Sequence, residues 1–132
     1  MNPKQFLLIG GAILVLVGVL GFAGIIGPTP EDSLLGDLWW FDNGENWAHL
    51  ILGLAALIAL KVLNEGMQRW LVAAVGLLAL VVTVYGFVIG ENLLGANLEN
   101  PADNILHLVI GLWALYAAKG GKSMSSQMQM PM

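Results

Sequence analysis

Cysteine is absent from the 132 residues, which excludes disulfides, thiolate metal ligands and cysteine nucleophiles whichever compartment the loops face. Charge is scarce too: Asp, Glu, Lys and Arg make up 11% of the chain, against roughly 25% in soluble domains. Only five residues are basic, and they form no patch, so a nucleic-acid partner is not expected. What remains is apolar, 58% of the chain, and it falls in unbroken blocks rather than at the spacing of a half-buried helix or strand. Such blocks call for lipid as solvent, and the bilayer is the first partner the sequence implies.

Four blocks are visible: Phe6 to about Ile26, Trp47 to Leu63, Trp70 to Gly90, and Ile105 to Ala118. A helix of about 20 residues crosses a hydrocarbon core of about 30 Å. The first block exceeds the length of a signal-peptide core and no A-x-A site closes it, so it is expected to be a span rather than a cleaved leader. The second carries Lys61 near its end, where the side chain can snorkel. The fourth is short and needs the polar turn from Pro101 onward to reach across. The predicted fold is an all-α membrane protein, with four transmembrane helices closing as a four-helix bundle over residues 1–118. Residues 119–132, rich in Gly, Ser, Gln and Met, are expected to form a disordered tail. Thioether binding of Cu(I) by Met124, Met128, Met130 and Met132 has little support there.

Lys4, Lys61, Arg69, Lys119 and Lys122 all fall on one side of these spans. The opposite loops hold Glu31, Asp32, Asp37, Asp42, Glu45, Glu91, Glu99 and Asp103. The positive-inside rule then predicts a multi-pass protein of the cytoplasmic (inner, plasma) membrane with both termini cytoplasmic. Trp39, Trp40 and Phe41 read as an interfacial aromatic anchor.

The chain also repeats itself. Glu45-Asn46-Trp47-Ala48-His49-Leu50-Ile51-Leu52-Gly53-Leu54 matches Asp103-Asn104-Ile105-Leu106-His107-Leu108-Val109-Ile110-Gly111-Leu112 at a constant offset of 58, and Gly21-Phe22 echoes Gly86-Phe87. Two tandem hairpins of the same orientation are predicted, about 5–63 and about 69–118. Glycines and alanines on the odd spans mark packing faces. Asn46, His49 and Gly53 share one helical face, as do Asn104, His107 and Gly111, and both faces should look inward.

Helix capping accounts for the carboxylates: Asp42 and Asn100 stand as N-caps, Pro101 as first helical residue, and Glu45 and Asp103 at the third position. The candidate polar cluster is therefore Asn46, His49, Asn104 and His107. Its first reading is a set of interhelical hydrogen bonds joining spans two and four, in a non-enzymatic protein of structural or interaction type. The second is a metal or haem site on His49 and His107. The third is a proton or ion path built by oligomerisation, although spans one and three offer only Thr83 and Tyr85 as polar interior groups. No activated nucleophile or catalytic motif is present, and no cofactor is required by the first reading. Partners beyond lipid would be further copies of the chain or other membrane proteins.

Asn100-Pro101-Ala102-Asp103-Asn104-Ile105-Leu106-His107-Leu108 resembles the Asn-x-Ala-Asp-Asn-x-x-His-Leu signature of an uncharacterised family of bacterial four-helix membrane proteins, a domain of unknown function. His49-Leu50-Ile51-Leu52-Gly53 resembles the family's earlier His-Leu-x-x-Gly element, preceded here by Gly44-Glu45-Asn46-Trp47 rather than a further His-Asn pair. The resemblance implies a bacterial-type cytoplasmic membrane and four helices, and it supplies no activity.

Overall fold

A computed structural model describes the backbone of residues 1–128 and the side chains through Gly120. It is all-helical apart from a short hairpin: α1 Pro3–Phe22, two 3₁₀ turns at Pro30–Asp32 and Gly36–Leu38, α2 Asn43–Val62, α3 Glu65–Val88, the strands β1 Asn92–Leu93 and β2 Ala96–Asn97, and α4 Ala102–Met128. The helices begin ahead of the apolar blocks because polar caps set their starts. Asn2 and Gln5 form a capping box on α1 with Pro3 in the first turn, Asp42 and Glu45 form another on α2, and the Asn64 side chain accepts from Met67 N–H on α3. Gly24, in the left-handed region at φ +80°, lets the chain leave α1.

Helices α1, α2 and α3 are long and apolar enough to cross a membrane. The fourth helix is not among them, because Asp103, Asn104, His107 and Lys119 dilute its apolar run. That helix is described as far as Met128. Met130 and Met132 lie outside the described residues.

The principal packing is α1 on α2 and α3 on α4. The two pairs meet in the same manner. A Cβ on Gly11 would stand 3.2 Å from Ala56 and 3.1 Å from Leu57, and one on Gly76 would stand 3.1 Å from Ala114 and 3.0 Å from Leu115. Gly53 faces the Gly11 carbonyl and Gly111 the Gly76 carbonyl, at 2.8 and 3.1 Å from the same reference point. Small residues bring the backbones together while Leu16, Ile58, Leu78 and Val84 point outward, the arrangement expected where lipid surrounds the helices. One buried cluster, Phe6, Leu7, Ala59, Val72, Ala114 and Ala117 among it, draws on all four helices. It lies at the basic end, where Arg69 Nε donates to the Ala118 carbonyl and Gln68 Nε2 donates to the carbonyls of Leu60 and Leu63.

Candidate functional site

At the other end the acidic loops fold over the starts of α2 and α4. Asp42 accepts from Glu45 N–H at 2.8 Å through one oxygen, and Glu45 returns the bond to Asp42 N–H at 3.0 Å. The second oxygen of Asp42 accepts from Asn97 N–H in β2 at 2.8 Å, tying the first hairpin's helix start to the second hairpin's loop. Trp39 donates its indole N–H to Asp103 at 3.0 Å, a second tie between sequence positions 64 apart. The other Asp103 oxygen accepts from Glu99 N–H at 2.9 Å. Trp39 is thus held by a buried carboxylate, and Phe41, 4% exposed, packs edge-on against both Trp39 and His49.

The cap expected at Asn100 is not made. Asp103 N–H bonds to the Glu99 carbonyl and Ile105 N–H to the Pro101 carbonyl, so the α4 ladder begins upstream of Asn100, which stays exposed with no N–H to satisfy. Asp103 instead reaches back to Glu99 N–H, the position from which the helix hydrogen bonding starts.

Asn46 and Asn104 are both fully buried, but they do not join α2 to α4. Each turns into its own hairpin: Asn46 lies against Gly21 of α1 and Asn104 against Gly86 of α3, where the missing Cβ leaves the space the amide fills. The two differ in one respect. Asn46 Nδ2 donates to the Phe41 carbonyl at 3.2 Å, whereas neither amide atom of Asn104 has a hydrogen-bond partner.

The two histidines make different contacts. His107 directs Nδ1 to the Asp103 carbonyl at 2.7 Å, and His49 presents its ring to Phe41 with Nδ1 buried and unpartnered. Among the described residues the group able to hold a metal ion is Glu45, Glu99 and Asp103, whose ligand oxygens lie within 4.8 Å of one another. All three are buried. His107 is engaged with a carbonyl through Nδ1, while the carboxylates converge. Thr83 and Tyr85 are engaged too, donating to the carbonyls of Ala79 and Asn92.

Glu99 is the residue the sequence did not single out. Offset by 58, its counterpart is Phe41, so an acid stands where the first half has a buried aromatic. That break in the repeat is the signal that could have found it. Burial, with the Asp103 carboxylate beside it, pushes the Glu99 carboxyl above the usual carboxylate range. Neighbouring carboxylates in a desolvated site cannot all stay ionised without a compensating positive charge.

A family model for a domain of unknown function, DUF4383, matches residues 4–120. The chain belongs to the DUF4383 family. Its match spans all four helices and both residues of each Asn/Gly contact, so the site described is part of the family's domain. No curated protein and no solved structure matches the chain.

Proposed function

We propose that this DUF4383 protein is a non-enzymatic, four-span protein of the cytoplasmic membrane, of structural or interaction type. Its two tandem hairpins share one orientation and close as a four-helix bundle, clasped at their extracytoplasmic end. The observation that carries this reading is the pair of bonds across the halves, Trp39 to Asp103 and Asn97 to Asp42. These bonds, rather than the two asparagines, connect the halves in this reading. Support for the bundle comes from the buried cluster shared by all four helices at the opposite end. Helix α4, although less apolar, is enclosed by the others along the face that carries Asp103, Asn104 and Gly111, so its polar start need not face lipid.

Trp39→Phe keeps the ring contact with Phe41 and deletes the indole donor. It is expected to lower stability by about 1–2 kcal/mol, because a hydrogen bond to a charged acceptor is lost and Asp103 is left short of a donor. Detergent unfolding monitored by circular dichroism measures this, and an unchanged midpoint would remove the clasp from the account.

The orientation has its own test, simplified by the absence of cysteine. Glu31→Cys and Glu91→Cys, at exposed positions of the acidic end, are expected to react with an impermeant maleimide on intact cells, and the exposed Glu65→Cys only after lysis. The reverse labelling pattern would invert the proposed topology.

A further inference from the structure

We propose that Glu45, Glu99 and Asp103 form a binding site for one divalent cation of the hard, oxygen-liganded class, Ca²⁺ in preference to Mg²⁺, which links the start of α2 to the start of α4. Two observations carry it independently. The first is convergence: carboxylate oxygens from two hairpins lie within 4.8 Å of one another, on residues that are 4%, 8% and 1% exposed in the order given. The second is an unmet oxygen. Among the described residues Glu99 Oε2 is the carboxylate oxygen that is buried with no hydrogen-bond partner, while Oε1 of the same group accepts from Asn97.

Charge selects a divalent ion. Three ionised carboxylates bring −3, and the N-termini of α2 and α4 on which Glu45 and Asp103 sit return roughly +0.5 each, leaving about −2 in a desolvated space. Among the described residues Lys4, Lys61, Arg69 and Lys119 stand at the other end of the helices, Arg69 engaged with the Ala118 carbonyl. Hydration then separates the candidates. Mg²⁺ gives up its waters reluctantly and demands near-ideal octahedral geometry, whereas Ca²⁺ accepts protein oxygens in flexible geometry, which suits a buried cluster of carboxylates. Carboxylates already fixed by Asp42 N–H, Trp39 Nε1–H and Glu99 N–H are pre-oriented for it.

The test uses the full chain purified in detergent and stripped with chelator. Equilibrium dialysis with radioactive Ca²⁺ reads stoichiometry and affinity, Mg²⁺ serves as competitor, and the thermal midpoint is followed in parallel. The expected result is one saturable Ca²⁺ per chain that raises the midpoint, with Mg²⁺ competing weakly. Glu99→Gln and, separately, Glu45→Gln are expected to weaken binding by on the order of tenfold or more, and Asp37→Asn, an exposed acid of the same end, to leave it unchanged. Should one glutamine variant fail to fold, the other carries the same reading. Absence of saturable Ca²⁺, or equal affinity in Glu99→Gln and the unaltered chain, would overturn the site. Mg²⁺ binding as tightly as Ca²⁺ would overturn the choice of ion. The proposal does not depend on membrane orientation, so its failure and that of the topology are read by different experiments.

Discussion

Gly86→Ala is expected to be strongly destabilising, with Gly21→Ala close behind. A Cβ on Gly86 would fall inside the side-chain amide of Asn104, and one on Gly21 inside that of Asn46. Neither asparagine has room to turn away, because both are fully buried. The backbones cannot part locally either: further along, Gly111 faces the Gly76 carbonyl and Gly53 the Gly11 carbonyl, so relief at one point must open the whole hairpin. Alanine brings a helix-propensity gain of up to about 1 kcal/mol, which overpacking, typically costing about 1–3 kcal/mol and sometimes more, outweighs. Packing is also what holds helices together in lipid, where no hydrophobic drive acts between them. Gly10→Ala, whose Cβ would meet nothing nearer than Phe6 at 3.9 Å, is the control and should be neutral or slightly stabilising. A double-mutant cycle sharpens the test. Asn104→Ala should rescue Gly86→Ala nearly fully, since it removes both the clash and an amide with no partners. Asn46→Ala should rescue Gly21→Ala less well, because the bond to the Phe41 carbonyl goes with it. Detergent unfolding midpoints of the seven variants decide the matter, and a Gly86→Ala protein as stable as the unaltered chain would show that α3 and α4 are not held this closely.

These contacts explain how far the sequence could be read. The glycine faces of α1 and α3 and the inward faces of α2 and α4 were legible because a helix places residues three and four apart on one side, whatever the tertiary structure. The Asp42 cap expected on α2 is made, whereas α1 and α3 start a few residues ahead of their apolar blocks, since Asn2, Asn64 and Glu65 are polar and an apolar block says nothing of the caps in front of it. The partners of Asn46 and Asn104 were assigned to each other on symmetry. Two buried amides at matched positions can face one another, or each can face a small residue on its own neighbour. Only the crossing of the helices settles which, and here it places Gly21 and Gly86 opposite.

The carboxylate cluster was less legible still. Capping explained Glu45 and Asp103 well enough that nothing was left over to attract notice, and α2 does open with that capping box. What the capping account lacked was the route of the two loops, which brings Trp39 to Asp103 and Asn97 to Asp42. Loop paths are set by turn geometry and by a few specific bonds, not by periodicity. Glu99 was visible only as one of eight acids until its position opposite Phe41 in the repeat is considered.

Asp103→Ala is the second substitution expected to have a large effect, and its direction depends on which of two opposing contributions is greater. Removing the carboxylate relieves repulsion with Glu45 and Glu99, whose oxygens lie within 4.8 Å of it. It also strands two donors, the Trp39 indole N–H and the Glu99 backbone N–H, and takes a negative charge from the positive end of α4. Each unmet buried donor costs about 1–3 kcal/mol, and the helix-end charge about 0.3–1 kcal/mol. Repulsion is the weaker side, because a proton taken up by one neighbour already removes most of it, and the raised affinity of Glu99 for a proton makes that uptake easy. A net loss of at least about 2 kcal/mol is therefore expected in chelator-treated protein. Asp103→Asn should fall between, since a single amide oxygen can accept from one of the two donors while its NH₂ group opposes the other. If Asp103→Ala instead raises the unfolding midpoint, repulsion outweighs the hydrogen bonds, and the acidic end would be a source of stored strain rather than a clasp.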